Sequence, residues 1–344
     1  MDAVARHSIT GLTLEQLTDL LGSRARALAA LRWLYGAPPA PSWLPESIPG
    51  VNGKAWAALR QGCERRAPNT VARSASADGT VKLALDFDGV TAETVLIPAR
   101  GRSTACVSSQ SGCTRHCAFC ATARLGFRRN LAAGEIVEQF LAARAEAPPG
   151  APLRNVVFMG MGEPMDNLDA VLTAIEILTQ TPAPQLGAGH ITVSTSGILP
   201  GMRRFLRASR ANLALSLNGS TDAQRQALMP QNRLWPIGEL IGVLREDARA
   251  GGRLYFIEYV LFDGVNDAPD DARRLLRLLE GVPARVNLIP HNPFDENPLR
   301  PSPPERIDAF QTLVHRGGVR CLLRGPRGQA IDAACGQLAA RTPL

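Results

Sequence analysis

The hydrophobic positions change their period twice along the chain. Leucines recur at helical spacing in the first part, at Leu12, Leu14, Leu17, Leu20, Leu21, Leu28, Leu31 and Leu34. Thr13 and Gln16 stand three residues apart at the start of this run, which predicts a capping box. The proline-rich stretch from Ala37 to Pro45 separates the predicted helices. The pattern predicts a helical accessory domain over residues 1–68.

Residues 70–98 change to short runs that are typical of strands. The runs are Val81–Phe87 and Ala92–Ile97, and Asp78-Gly79 and Asp88-Gly89 supply turns beside them. We therefore predict a small β extension over residues 69–102, which links the helical part to the rest of the chain.

From Ser103 onward, strand-like runs alternate with helical ones. The predicted strands are Thr104–Ser108, Val156–Met159, Ile191–Thr195, Leu213–Leu217, Leu254–Phe262 and Val286–Ile289. The predicted helices include Ala132–Ala147, Leu168–Thr179, Ile237–Ala250 and Pro269–Glu280. Strands separated by helices form parallel sheets with right-handed crossovers, so we predict an α/β fold with a partial (β/α)6 barrel over residues 103–300. A helix at Pro304–Arg316 and a strand at Val319–Leu323 come next, in a C-terminal extension, residues 301–344.

Composition excludes several protein classes. The chain has 344 residues, of which 45% are apolar and 20% charged, as in globular proteins. No apolar run approaches the ~18 residues that span a bilayer, and Met1–Ser8 has no apolar signal core. We therefore expect a cytoplasmic protein with no membrane segment.

The formal charge of +7 is unevenly placed. Between Thr94 and Gly134 there is no Asp or Glu, but the stretch contains Arg100, Arg102, Arg115, Arg124, Arg128 and Arg129. Such an excess is usually a solvated face. Because it surrounds a cysteine cluster, an RNA or phosphate surface is the alternative.

Four of the seven cysteines, Cys106, Cys113, Cys117 and Cys120, lie within fifteen residues. The C-x3-C-x2-C spacing of the last three allows three thiolates to hold a [4Fe–4S] cluster with one iron open. The alternative is a zinc site with His116 as the fourth ligand, which is geometrically awkward because His116 adjoins Cys117.

This cysteine run, placed after the first core strand, resembles the radical S-adenosylmethionine (SAM) superfamily. The resemblance implies a site-differentiated [4Fe–4S] cluster whose open iron binds SAM and cleaves it reductively to a 5′-deoxyadenosyl radical. The turn Gly160-Met161-Gly162-Glu163-Pro164 ends the second strand, where a carboxylate could meet the ammonium group of SAM.

Other stretches are similar to the RlmN family of dual-specificity 23S rRNA and tRNA adenine-C2 methyltransferases. They are Cys106–Gln110, Gly126–Leu131, Ser194–Gly197, Val286–Pro290 with Asn292–Phe294, and Ile331–Leu338. The similarity runs from about Leu12 to Leu338 and is loose before residue 78.

The resemblance implies roles for particular residues. Cys113, Cys117 and Cys120 would bind the cluster, and SAM would lie against Gly162, Glu163, Ser194, Ser216, Leu217, Asn218 and Asn292. One SAM would methylate Cys335, and a radical from a second SAM would abstract hydrogen from that methyl group. The methylene radical would add to adenine C2 and leave the RNA covalently attached. Cys106 would resolve the adduct, with a transient Cys106–Cys335 disulfide, and Glu93 would be a proton acceptor.

Chemistry supports these residue types independently. Adenine C2 is electron-poor, so it cannot attack a sulfonium as the nucleophiles of ordinary methyltransferases do. A thiol can accept a methyl group, and a second thiol can displace the first by forming a disulfide. The sequence context alone predicts that Cys335 is a buried small apolar side chain, and only the resemblance favours a catalytic role. Cys63 and Cys321 have no role in this scheme, so we expect them to be structural.

The resemblance also implies partners. These are 23S rRNA and tRNA, a reductant such as flavodoxin, and a monomeric enzyme. Arg128, Arg129, Arg324 and Arg327 would suit phosphate contacts. Of the tryptophans, Trp33 and Trp56 stand at helical spacing, which favours core packing over stacking on bases.

Three positions depart from the family pattern. Gln329-Ala330 stand where two acidic residues are usual, Asn218 where many members have His, and Arg24-Ala25-Arg26 in place of a Phe-Arg-Ala element. They bear on RNA specificity and on which carbon is methylated. One alternative is therefore a Cfr-like adenine-C8 methyltransferase, although Glu163-Pro164 and Gly126–Asn130 favour the RlmN side. The other is a non-catalytic RNA-binding protein that holds zinc.

Overall fold

A computed structural model of the protein describes residues 7–36, 43–294, 297–325 and 327–339. Most of the predicted proline-rich separator, residues 37–42, lies outside the described residues. The strands are β1 His7–Ser8, β2 Cys63–Glu64, β3 Asn69–Ala75, β4 Val81–Phe87, β5 Val90–Ala99, β6 Arg102–Cys106, β7 Gln110–Gly112, β8 Phe127–Asn130, β9 Leu153–Phe158, β10 Ile191–Thr195, β11 Asn212–Ser216, β12 Tyr255–Leu261, β13 Ala284–Pro290 and β14 Arg320–Leu323. The α-helices are α1 Leu14–Leu21, α2 Arg24–Tyr35, α3 Gly53–Gly62, α4 Ala121–Arg124, α5 Ala133–Ala145, α6 Leu168–Thr179, α7 Leu199–Ala208, α8 Asp222–Leu228, α9 Ile237–Arg249, α10 Pro269–Leu278 and α11 Pro304–Arg316.

One ten-stranded sheet dominates the fold, in the order β14-β13-β12-β11-β10-β9-β6-β5-β4-β3. Seven of these strands pair in parallel with their neighbours: β6, β9, β10, β11, β12, β13 and β14. Their inward residues, such as Val156, Val193, Leu215 and Ile257, are fully buried. The predicted α/β fold with a partial barrel is confirmed. Because all these strands run the same way, their carboxyl ends meet at one edge.

The strands of residues 69–102 belong to the same sheet. β3, β4 and β5 form antiparallel hairpins through tight turns, and β5 pairs with β6 along Val95↔Cys106 and four further pairs. β6 therefore has β5 on one side and β9 on the other. The division of the chain at residue 102 stays a prediction, and hydrogen bonding between strands continues across it. The predicted first core strand lies slightly earlier than expected, since β6 ends at Cys106.

The N-terminal helices begin as predicted. The Gln16 backbone N–H donates to Thr13 Oγ1 at 3.3 Å, and the Thr13 N–H donates to Gln16 Oε1 at 2.9 Å, which confirms the capping box. Trp33 and Trp56 pack edge to face with centroids 5.7 Å apart, as core residues do. A buried ion pair between Arg65 and Glu138, with N···O distances of 2.9 Å, joins this region to α5. Among the described helices, none is long and apolar enough to cross a membrane.

Candidate functional site

The cluster loop, residues 113–120, lies between β7 and β8, which pair antiparallel. Gly112 enters the loop with a φ of 75°, and a Cβ there would lie 1.8 Å from the carbonyl oxygen of Gly126. The Cys113 N–H donates to that same oxygen at 3.1 Å. Glycine is therefore required where the two strands meet, and their pairing fixes where the loop begins. No sequence signal distinguished Gly112 from the other glycines.

The three predicted ligands are half-buried and lie close enough together to interact electrostatically. Burial raises the pKa of Cys113 to about 12, and the neighbouring Cys120 contributes to the rise. Burial also raises the pKa of Cys117 well above its usual value. A cluster binds thiolates, so its assembly must displace protons from these residues.

Two N–H groups point at the sulfurs of the cluster loop. The Arg115 backbone N–H lies 3.4 Å from Cys113 Sγ, and Gln231 Nε2 lies 3.8 Å from Cys117 Sγ. Such donors stabilise negative charge on cysteine sulfur, so the donor set suits a thiolate-bound iron–sulfur cluster. His116, the fourth ligand in the zinc alternative, is exposed. The described part of the chain contains no group of three or more His, Cys, Asp or Glu side chains placed to hold one metal ion.

Two charged residues outside the sequence predictions support the loop. Arg115 Nε donates to Asp166 Oδ2 at 2.8 Å and ties the loop to the turn after β9. Arg225 is fully buried, donates to Asn232 Oδ1 at 3.0 Å and to the Ser196 carbonyl, and lies near Cys117. Burial lowers the pKa of Arg225 to about 10, so it remains a cation at neutral pH beside the cluster loop.

The predicted glycine-rich turn comes directly after β9. Gly162 has a φ of 98° and packs on Gln110, where a Cβ would lie 2.6 Å from the side chain. The Gln110 side chain also accepts the Glu163 N–H at 3.0 Å. These contacts join the turn to β7, at the entrance of the cluster loop.

The Glu163 carboxylate is buried and accepts four hydrogen bonds. Its oxygens receive the Met165 N–H at 3.0 Å, the Thr195 hydroxyl at 2.8 Å, and the Ser196 N–H and hydroxyl at 2.8 and 2.7 Å. Burial raises the pKa of Glu163, and these donors oppose the rise. The carboxylate thus joins the ends of β9 and β10.

The remaining predicted SAM-contacting residues lie at the same edge of the sheet. Ser194 Oγ and Ser216 Oγ are 3.3 Å apart, on β10 and β11. The side chain of Leu217 is part of the core. Asn218 has a φ of 54°, a conformation that Asn tolerates, and its side chain accepts the Val260 N–H at 2.9 Å. Asn292 lies just after β13 and donates to the Cys335 carbonyl at 3.2 Å.

The segment that carries Cys335 packs on Cys106, although most of the chain separates the two cysteines. Cys106 ends β6 and packs with Val95, Met161, Ala333 and Leu338. Burial raises the pKa of Cys106, and the neighbouring Cys335 adds to the rise. All seven cysteines are free thiols.

The C-terminal segment, residues 327–339, carries Cys335 and is hydrogen-bonded to α4, the helix that follows the cluster loop. The Ala121 N–H donates to the Gly336 carbonyl at 2.7 Å, and the Thr122 hydroxyl donates to the Leu338 carbonyl at 2.6 Å. Gln337 Nε2 donates to the Pro293 carbonyl at 3.0 Å. Cys335 is exposed as a residue, but its thiol group faces the protein. Burial raises the pKa of this thiol, and the nearby Glu258 and Cys120 add to the rise.

Glu258 is a buried carboxyl group that sequence reasoning missed. It lies on β12, accepts from Asn287 Nδ2 at 2.7 Å, and has a pKa raised by burial. Arg324 opposes that rise and also acts on Cys335. The only sequence signal was a lone Glu inside an apolar strand.

Glu93, the predicted proton acceptor, lies on β5 and is 1% exposed. Its Oε2 accepts the Ala339 N–H at 2.9 Å, and its Oε1 lies 3.3 Å from Lys82 Nζ. The structure therefore places Glu93 against the C-terminal segment.

The predicted phosphate-binding arginines differ in availability. Arg128, Arg324 and Arg327 are exposed, whereas Arg129 forms a two-pronged ion pair with Glu135 at 2.7 Å. A guanidinium held this way is less available to phosphate.

Comparison with known proteins gives the family. The radical SAM superfamily pattern matches residues 107–279. The chain is 42% identical to a dual-specificity RNA methyltransferase RlmN of Paracoccus denitrificans, over 98% of this chain and 91% of that one. It is 38% identical to an RlmN of Syntrophobacter fumaroxidans, over 99% of both. A crystal structure of a radical SAM methyltransferase from Sphaerobacter thermophilus matches with a TM-score of 0.90 and 38% identity, over 97% of this chain and 100% of that one.

Superfamily membership implies a [4Fe–4S] cluster and SAM as cofactors, and the three-cysteine loop fits the first. The chain belongs to the radical SAM superfamily and, within it, to the RlmN family of SAM-dependent RNA methyltransferases.

Proposed function

We propose that this enzyme methylates C2 of adenine in 23S rRNA and in tRNA, with Cys335 as the methyl carrier and two SAM molecules consumed per turnover. The observation that carries the proposal is that the segment carrying Cys335 packs on Cys106 beside the cluster loop, with the two thiols near enough to interact electrostatically. Two neighbouring thiols can take the roles of methyl acceptor and displacing group in one site.

The chain's own residues would act in sequence. Cys113, Cys117 and Cys120 would hold the cluster, which with SAM would supply a 5′-deoxyadenosyl radical and would take back one electron from the adduct. Cys335 accepts a methyl group on its sulfur. That group would lose one hydrogen atom to the radical, its carbon would bond to adenine C2, and the adduct would give up one electron and the C2 proton. Cys106, after losing its proton, then attacks the sulfur of Cys335; a disulfide forms, the sulfur–carbon bond breaks, the released carbon takes up a proton, and methylated RNA leaves. Glu93 takes up a proton.

The site side chains support this assignment of roles. Cys335 is an exposed residue on the C-terminal segment, which suits a methyl carrier that must reach an RNA base. Cys106 is buried with a raised pKa, so it reacts only when its proton is removed. Its burial would protect it from unwanted oxidation between turnovers.

The RNA would bind at the surface that carries the exposed arginines, chiefly Arg128, Arg324 and Arg327. An adenine inside folded RNA must leave its stack to reach the Cys335 side chain. We further propose a cytoplasmic monomer that receives its electron from a reductant of the flavodoxin kind.

The test is anaerobic reconstitution with iron, sulfide and methyl-labelled SAM, followed by peptide mass analysis. The label is expected on the Cys335 peptide before RNA is added, and on C2 of adenine afterwards. Cys335→Ala should abolish both. Cys321→Ala is the matched control, because Cys321 is a buried thiol outside the site.

Other results would assign other functions. A product methylated at C8 instead of C2 would identify a Cfr-like enzyme. A colourless protein with one zinc and no iron would contradict the radical mechanism altogether.

A further inference from the structure

Lysine is rare in this chain. Arginine supplies nearly all of the 38 basic residues, and Lys54 and Lys82 are the two lysines. Lys54 is exposed on α3, whereas the side chain of Lys82 is 13% exposed and lies on β4 within the main sheet. A cation buried to this degree needs partners and indicates a specific role.

The sheet register places Lys82 in line with Cys106. Lys82 is paired with Val95 on β5, and Val95 is paired with Cys106 on β6. Directly paired residues project from the same face of a sheet, so the three side chains form a row. The C-terminal segment covers this row, because Ala333 and Leu338 pack on Val95 and Cys106.

Lys82 contacts both the Glu93 carboxylate and the backbone carbonyl of Asp332. Its Nζ lies 3.3 Å from Glu93 Oε1 and donates to the Asp332 carbonyl at 3.2 Å. Asp332 stands three residues before Cys335, and Glu93 Oε2 accepts the Ala339 N–H at 2.9 Å, four residues after it. One Lys–Glu pair therefore fixes the C-terminal segment on both sides of Cys335.

Charge explains why the pair is needed. A buried carboxylate without a countercharge is costly, and Lys82 supplies the countercharge to Glu93. An ammonium group has three N–H donors, so Lys82 can hold the carboxylate and the backbone carbonyl together.

We propose that Lys82 is a positioning residue that holds the Cys335-bearing segment over Cys106. The proposal rests on the proposed function for its catalytic consequence, but the attachment itself can be measured without any chemistry. The ammonium acts through Glu93 and Asp332 and does not touch substrate.

The first experiment is amide hydrogen exchange on the reconstituted holoenzyme. Lys82→Met keeps the length of the side chain and removes its charge, and Lys54→Met is the matched control. We expect exchange of the 327–339 peptide to accelerate about tenfold or more in Lys82→Met and to be unchanged in Lys54→Met. Equal protection in Lys82→Met and the unaltered enzyme would overturn the proposal. If Lys82→Met does not fold, Lys82→Gln is measured against the same criterion.

The second experiment measures coupling between SAM cleavage and methyl transfer. In Lys82→Met we expect normal iron content and continued release of 5′-deoxyadenosine, with methyl transfer to RNA reduced about tenfold or more. Lys82→Arg, which restores the cation, should recover transfer. Transfer that falls equally in Lys82→Arg and Lys82→Met would contradict a role for the charge. Absence of methyl on Cys335 in the unaltered enzyme would refute the proposed function and leave the exchange result standing.

Discussion

The two groups of cysteines to which we assign functions are built in opposite ways. Cys113, Cys117 and Cys120 lie on one loop, enclosed by β7 and β8, and their spacing along the chain determines their arrangement. Cys106 and Cys335 come from the first core strand and the C-terminal segment, and only the sheet and its bound segment bring them together. A local group depends on its turn, whereas a distant pair depends on every contact that attaches the segment. Single substitutions should therefore affect one group of cysteines and leave the other unchanged.

The largest effect is expected at the distant pair. Cys106→Ala should lower turnover on the order of a thousandfold or more, because no thiol remains to attack the Cys335 sulfur and release the RNA. A covalent protein–RNA adduct should accumulate, visible as a shifted band on a denaturing gel. Iron content should stay normal, because Cys106 is not a ligand. Free RNA product with no adduct would show that another group resolves the intermediate.

The cluster loop should be disrupted by a substitution at Gly112, the glycine where the loop begins. In Gly112→Ala the new Cβ would meet the Gly126 carbonyl at 1.8 Å, and the positive φ adds strain. We expect destabilisation of at least about 2 kcal/mol and loss of most bound iron. Hydrogen exchange of residues 327–339 should change little. Gly101→Ala is the control, since Gly101 also has a positive φ but no atom within 4 Å of the added Cβ. Normal iron in Gly112→Ala would contradict the role assigned to this glycine.

The smallest effect is expected at Asp78, which attaches the start of the C-terminal segment. Its Oδ2 accepts the Gly328 N–H at 3.1 Å and lies 3.9 Å from Arg327. Burial raises the pKa of Asp78, but the hydrogen bonds from Thr80 and Gly328 lower it by a larger amount. The pKa of Asp78 therefore lies below its usual value. A carboxylate with a lowered pKa stabilises the folded state at pH values above its ordinary pKa of about 3.9. The fold loses this stabilisation as the pH falls through the folded-state pKa of the group.

Asp78→Asn should therefore weaken the attachment by about 0.5–1 kcal/mol at neutral pH. Protection of the Gly328 amide should fall below about pH 4 in the unaltered protein and lose that pH dependence in the variant. Asp88→Asn, at the turn of the next hairpin, is the control. A fall in protection of the same size in Asp88→Asn would show that acid acts elsewhere.

Much of the fold can be predicted from the sequence. The alternation of strands and helices, the Val81–Phe87 strand and the Thr13–Gln16 capping box are local patterns, and the structure confirms them. The cysteine spacing of the cluster loop is local in the same way.

Other features had no local signal. Gly112 is one of many glycines, and its contact with Gly126 appears only when β7 and β8 pair. Lys82 and Glu93 resemble ordinary polar positions of a hairpin, and their contacts with Asp332 and Ala339 require the chain to return from its far end.

The sequence by itself determined the fold class and indicated the candidate cluster ligands and, through the resemblance, the candidate pair Cys106 and Cys335. Only the tertiary structure decided that the 69–102 strands extend the core sheet and hold the segment that carries Cys335. The physical reason is the distance along the chain over which each kind of interaction acts. Helix caps, turns and ligand spacing act over a few residues, whereas the position of Cys335 results from contacts between parts of the chain that the sequence keeps far apart.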